Sequence, residues 1–179
     1  MKTILYASEI DEKLGRMAEE IIEKNSFLKE IILLGIERRG VPLAHRLAEK
    51  IRKASALEVR VGSLDITLYG ADHRLIAKFP VLGGTNIPFP IDNGCVVLVD
   101  DILYTGKTVI TAMQELLQKG KPEEVQLAVF IDHGRRSFPV CADYVGIKTE
   151  VQPPERVVLR LAEVDGGADT VMLVSGKER

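Results

Sequence analysis

Residues 95–108, CVVLVDDILYTGKT, constrain this chain more than any other stretch. An apolar run ends in two adjacent aspartates, passes through a turn of small residues and enters a segment with helical spacing. Val96 to Val99, bounded by turn formers, have the pattern of a strand buried on both faces, as in a parallel sheet. In an open α/β sheet, ligands bind beyond the carboxyl ends of the strands. Asp100 and Asp101 fall at such an end. The LYTGKT that follows begins a helix, so backbone N–H groups and the positive helix terminus face the same crevice. Thr105 and Thr108 add hydroxyl donors, and Gly106 allows close backbone approach. This is a cradle for phosphate, and each carboxylate beside it can accept hydrogen bonds from a sugar hydroxyl. The stretch therefore reads as a sugar-phosphate site. A nucleotide P-loop would need glycine where Asp101 stands. A simple cap on the following helix is the other reading of the aspartate pair taken alone.

The rest of the chain alternates in the same manner. Ile10, Leu14, Met17, Ala18, Ile21 and Ile22 share one face of a helix over 10–24, with Ser8 as N-cap and Asp11 in its first turn. EIILLGI (30–36) reads as a buried strand. A second helix over 41–53 turns Leu43, Leu47 and Ile51 inward and has Pro42 in its first turn. LEVRVGSLDITL (57–68) has the alternating polarity of a strand. Residues 70–94, with Pro80, Gly83, Gly84, Pro88 and Pro90, form a long loop or hairpin arm, of which about 70–88 is the expected flexible active-site loop. A helix over 107–119 ends at Gly120, a C′ glycine, with Pro122 beyond. EVQLAVFID (124–132) is another core strand. Short β-like segments, VCADYVG, RVVLRLAEV and TVMLVS, fill 137–175. Strands alternating with helices predict an α/β fold, a single domain over 1–179 with a mainly parallel central sheet flanked by helices.

Composition excludes several classes. The 179 residues suit one domain, 46% hydrophobic and 28% charged. A formal net charge of −2 gives no large basic field for nucleic acid or membrane. Cys95 and Cys141 suggest no disulfide scaffold, and three histidines and two cysteines show no metal-ligand spacing. His45 reads as a surface or interface residue, His73 lies in the long loop, and His133 follows a core strand near the expected site. With no secretory h-region and no apolar run of about 20 residues, the expectation is a cytoplasmic protein with no membrane contact.

VVLVDDILYTGKT resembles the phosphoribosyl-pyrophosphate (PRPP) signature of type I phosphoribosyltransferases: four apolar residues, two acids, a short spacer, then T-G-x-T. LLGIERRG resembles that family's pyrophosphate loop. SLDITLY, GTNIPFP, DHGRRSFPVCADYVG and AEVDG are similar to segments of its PyrR type, which joins pyrimidine-operon attenuation to uracil phosphoribosyltransfer. The likeness runs from about residue 10 to 165. It implies a phosphoribosyltransferase fold with a small β-rich hood and a flexible β-hairpin loop.

The resemblance also implies roles. Asp100 and Asp101 would hold the ribose 2′- and 3′-hydroxyls. Tyr104, Thr105, Gly106, Lys107 and Thr108 would hold the 5′-phosphate. Arg38, Arg39, Gly40 and the backbone from Glu37 would meet the pyrophosphate. Asp100, Asp101 and Arg39 are the catalytic candidates. Mg²⁺ would come with the substrate phosphates, with Asp100 and Asp101 as the nearest protein oxygens and no site built by protein alone. Asp132, Arg136, Tyr144 and Val145 would form the base site. Hypoxanthine-guanine relatives carry aspartate at the position of Tyr104 and lysine at that of Asp132, so uracil is the expected base and UMP the product. A homodimer or homotetramer is implied as well.

Several positions depart from the PyrR type. Arg38 stands where it has threonine, and Gly70, Ala71 and Asp72 where it has arginine and paired acids. Its RNA-contact residues are replaced by Gly15, Glu19, Cys141 and Ile147. Residues 9–24 hold Glu9, Asp11, Glu12, Glu19, Glu20 and Glu23 against Lys13, Arg16 and Lys24, which opposes phosphate binding. The alternatives to a uracil enzyme are a PyrR-like RNA-binding regulator that senses nucleotide and a phosphoribosyltransferase for another base.

Overall fold

The computed structural model of the chain describes residues 1–66 and 84–175. In chain order the elements are β1 (Lys2–Tyr6), α1 (Ala7–Lys24), β2 (Glu30–Ile36), α2 (Gly40–Ala54), β3 (Glu58–Leu64), β4 (Cys95–Leu103), α3 (Lys107–Lys119), β5 (Glu124–Asp132), β6 (Tyr144–Lys148), β7 (Glu155–Arg160), α4 (Ala162–Asp165) and β8 (Thr170–Ser175). Five strands form a parallel sheet in the order β3-β2-β4-β5-β6. The other three form an antiparallel sheet, β1-β8-β7, the hood.

Both faces of the central sheet are covered, which is why its strands are continuously apolar. Ile31, Leu33, Val97 and Val99 point into one core with α1, α2 and the inner face of the hood. Their neighbours Ile32, Leu34, Val96 and Leu98 point into a second core with α3. Two-residue alternation thus survives inside the apolar runs, but as a choice between cores. Arg16 of α1 fixes that helix on β6 by donating to the carbonyls of Val145 (3.0 Å) and Gly146 (2.5 Å).

Several local expectations change. Lys2–Tyr6 forms a hood strand, which five residues with little alternation did not signal. Helix α1 starts before Ser8: Glu9 accepts the backbone N–H of Tyr6 at 2.8 Å and closes the first turn instead. Gly120 has φ 172, extended rather than left-handed. Its missing side chain matters for space, since a Cβ there would lie 2.6 Å from Ile91 Cγ1. The segment 162–165, read as β-like, is the short helix α4. The C-terminal strands also divide, with β6 joining the parallel sheet and only β7 and β8 the hood. Most of the 70–88 loop lies outside the described residues, His73 and Gly70 to Asp72 included; its returning end bridges back, Ser63 pairing with Asn86 in both directions at 2.9 Å.

The start of α2 is pressed against the sheet. A Cβ on Gly35 would lie 2.6 Å from the Gly40 carbonyl oxygen, and one on Gly40 would fall onto the Val99 carbonyl oxygen. Backbone cannot yield as a flexible side chain can. Gly35→Ala should therefore cost about 1–3 kcal/mol of stability, read as a lowered denaturant midpoint at unchanged slope. An unchanged midpoint would show that α2 moves away freely.

Candidate active site

Four chain segments converge at the carboxyl end of the parallel sheet: the end of β4, the turn into α3, the loop after β2 and the residues after β5. Strand β4 runs through the aspartates to Leu103, further than its apolar stretch suggests. Asp100 is 5% exposed, and its Oδ1 accepts the N–H of Asp101 at 2.8 Å. Asp101 in turn accepts the N–H of Ile102 at 2.9 Å. Burial pushes the Asp100 carboxyl well above the usual carboxylate range, and the neighbouring Asp101 charge adds to this. Burial also raises Asp101, opposed by Arg39. Two acids are thus held where their charge is costly until a ligand offers hydroxyl donors or a cation.

The turn behind them has the geometry that suits an anion. Gly106 caps α3 with φ +90, a conformation that side chains avoid. Thr105 Oγ1 accepts the N–H of Lys107 at 3.3 Å. The Thr105 carbonyl accepts the N–H groups of Ser137 (2.9 Å) and Phe138 (3.1 Å), which ties the turn to the segment after β5. First-turn N–H groups, including that of Thr108, have no carbonyl to bond within their own helix and face outward.

Arg39 joins the other side. Its Nε and Nη2 grip Asp165 of α4 in a two-point contact (3.0 and 2.7 Å), and its Nη1 lies 3.8 Å from Asp101 Oδ2. Asp165 is pulled down to about 2, chiefly by these hydrogen bonds. The hood thereby holds one edge of the guanidinium, and the other edge faces the aspartates. Arg38 and Gly40 flank it, Gly40 as the first residue of α2.

The expected base residues are placed differently. Asp132 and Arg136 form an ion pair at 2.6 Å, which holds Asp132 below its ordinary range. Arg136 also donates to the carbonyls of Val140 (3.0 Å) and Tyr104 (3.1 Å), so it braces the turn. Tyr144 does not reach the crevice. It pairs with Ala128 in mid-sheet, is 2% exposed, and its hydroxyl binds Gln126 (2.6 Å) and Asn25 (3.1 Å) at the amino end of the strands. The Val145 carbonyl is taken by Arg16. These two positions are therefore corrected: they belong to the core and to the α1 contact. What lies beside Tyr104 is a cleft of about 310 Å³ between sheet and hood, walled by Ile102, His133, Val151, Pro153 and the β7 residues 155–157. Sequence reasoning missed this hood wall because β7 is separated from Tyr104 by some 50 positions and carries no motif.

A strand-end acid pair, a glycine-capped helix start and an arginine facing the acids make a crevice suited to a phosphorylated sugar. Known proteins agree. The phosphoribosyl transferase domain model matches residues 2–158. A bifunctional protein PyrR of Roseiflexus sp. is 46% identical over 173 residues, 97% of this chain and 94% of its own. That of Acetivibrio thermocellus is 47% identical over 163 residues, 91% and 89% of the two chains. The hypoxanthine phosphoribosyltransferase of Trypanosoma cruzi superposes with TM-score 0.75 at 16% identity, covering 99% of this chain and 98% of its own. The HGPRT-ase of Leishmania tarentolae in complex with GMP gives 0.74 at 18%, with the same coverage. At such identities the last two speak for the fold. The chain belongs to the phosphoribosyltransferase family, and within it to the PyrR type.

The raised carboxyl pKa values have a stability consequence. A carboxyl whose folded pKa exceeds its unfolded value of about 4 contributes stability below that value and loses it as pH rises through the folded pKa. Replacing both acids removes that loss. Asp100→Asn with Asp101→Asn should melt above the parent protein at pH 8, by a margin that shrinks toward pH 5. A margin that grows on acidification would contradict the burial account.

Proposed function

We propose that the protein transfers the phosphoribosyl group of PRPP to uracil, giving UMP and pyrophosphate. The observation that carries this reading is the convergence of Asp100, Asp101, the Thr105–Thr108 turn and Arg39 on one crevice. Ribose hydroxyls would donate to the aspartates, and the 5′-phosphate would sit on the start of α3. The reaction breaks the bond from C1 of the ribose to the pyrophosphate oxygen and forms one to a ring nitrogen of the base. Negative charge grows on the leaving group, and the Arg39 edge that faces Asp101 would stabilise it. Among the described residues no group of three or more His, Cys, Asp or Glu could hold a metal. The hard oxygens of Asp100 and Asp101 fit a Mg²⁺ that arrives on substrate phosphates, which when bound would add charge stabilisation at the pyrophosphate.

Uracil is favoured by the Tyr104 side of the site. A carboxylate at Asp132, already paired with Arg136, offers no donor to a purine carbonyl. Beta strand β7 is the outer strand of the hood sheet, so alternate backbone groups along its free side are available to a flat ring in the cleft. Initial rates with PRPP, Mg²⁺ and a panel of bases test the reading. Uracil should be preferred over hypoxanthine and guanine. The Asp100→Asn, Asp101→Asn variant should be slower by roughly a hundredfold or more, since a hydrogen bond to a charged group is worth about 1.5–3 kcal/mol. A preferred purine would overturn the choice of base alone, whereas near-normal activity of the variant would overturn the sugar site.

The relatives' name joins a second activity to this one. In this chain two of the three cations of α1, and one on α2 beside it, are engaged with acids: Arg16 with Glu20 (3.3 Å), Lys24 with Asp143 (2.6 Å) and Lys50 with Asp11 (2.7 Å). An acidic helix with most of its cations paired is a poor phosphate surface. We therefore expect no specific retention of a pyrimidine-operon leader hairpin at physiological salt, with or without UMP. Filter binding against a scrambled hairpin decides it, and nucleotide-dependent capture of one hairpin would establish the regulator.

A further inference from the structure

His133 is the first residue beyond β5. Its backbone N–H donates to the Leu103 carbonyl at 2.9 Å, which sets it beside the end of β4. The imidazole is 7% exposed. Its ring meets that of Tyr104 edge to face, with centroids 4.5 Å apart and planes at 72°. Both rings wall the cleft beneath the hood. Among the described residues, Nδ1 of His133 is the one buried side-chain nitrogen or oxygen without a hydrogen-bond partner. A folded chain seldom keeps such a group unless something else completes it.

The site shows what could complete it. Ile102 and Val157 supply apolar walls, Tyr104 an aromatic one, and the cleft of about 310 Å³ suits a single flat ring better than a chain. A half-turn of the imidazole about its Cβ–Cγ bond exchanges Nδ1 for Cδ2 within the same outline, so the nitrogen can be presented without repacking. A neutral imidazole nitrogen either donates to a carbonyl oxygen or accepts from a ring N–H, according to tautomer. A nucleobase carries both groups side by side.

We propose that His133 is the side chain that reads the base: its ring nitrogen makes one in-plane hydrogen bond to the carbonyl or N–H edge of a nucleobase stacked within the cleft. This rests on the phosphoribosyl-transfer reading and assigns its specificity to a residue outside both the PRPP motif and the Asp132–Arg136 pair. Discrimination follows from leaving a buried group unpaired, because a base without the matching group leaves His133 as it stands in the free protein. The position of the hydrogen bond, on the base and away from the sugar phosphate, predicts separate effects on the two substrates.

Two variants test it. His133→Phe keeps a flat aromatic ring, somewhat larger than imidazole, against Tyr104 but has no nitrogen. His133→Asn keeps a donor and an acceptor on a shorter arm. Each is assayed for KM and kcat with PRPP and with a panel of bases, and melted. With His133→Phe, kcat/KM for the preferred base should fall at least tenfold, while the KM for PRPP and the melting temperature stay put. With His133→Asn, the loss should be smaller and the ranking of bases should change. If the parent protein is active and His133→Phe retains base kinetics within twofold, the inference is wrong and the function stands. Equal losses toward PRPP and base would make His133 a packing residue and equally overturn it. Should His133→Phe fail to fold, His133→Asn decides: an unchanged ranking of bases overturns the inference. A parent protein that transfers to no base overturns the functional reading, and this inference with it.

Discussion

Everything at the site depends on two adjacent carboxylates, one buried and one half-buried. A protein interior penalises one such charge, and an adjacent one raises the penalty. The chain accepts this because the strand that carries the acids is anchored on both faces by cores formed elsewhere. Each carboxylate is also oriented by the N–H of the residue after it. The pair is stiff before any ligand arrives, so little ordering is left for binding to accomplish.

The hood is tied to this centre by charge. Arg39 reaches across to Asp165, and nearby Arg46 of α2 bonds both Glu163 and Asp169. These residues are distant in sequence, the arginines at the start of and along α2 and the acids on α4 and just before β8, so the ion pairs join α2 to the connection between two hood strands. Arg39 faces two ways, to Asp165 on one edge and toward Asp101 on the other. A displacement of α4 would therefore be felt at the aspartates, through one rigid planar group.

How much of this could be read from the letters depended on the range of the forces involved. Strands β2 and β5 and helix α3 were legible to the residue, because apolar runs and turn formers are local signals. The glycine-capped turn into α3 was legible for the same reason: its groups are consecutive. Tyr144 and Val145 were not, since a tyrosine at the start of a strand looks the same whether its hydroxyl faces a ligand or, as here, Asn25 and Gln126. Only the register of β6 against β5 settles that, and register is tertiary. His133 lay between these cases. Its place after a core strand was visible, but not the missing partner of its ring nitrogen.

Strand β7 has one further consequence. Its open side is an unpaired sheet edge, to which any extended chain could add itself. The sequence guards that edge without closing it. Pro153 and Pro154, immediately before the strand, supply no amide hydrogens with which a foreign strand could continue a ladder. Glu155, Arg156 and Arg160 stand exposed along it, and charged side chains on an edge strand oppose the addition of a foreign strand. The open edge is thereby protected against the strand-by-strand addition with which aggregation begins.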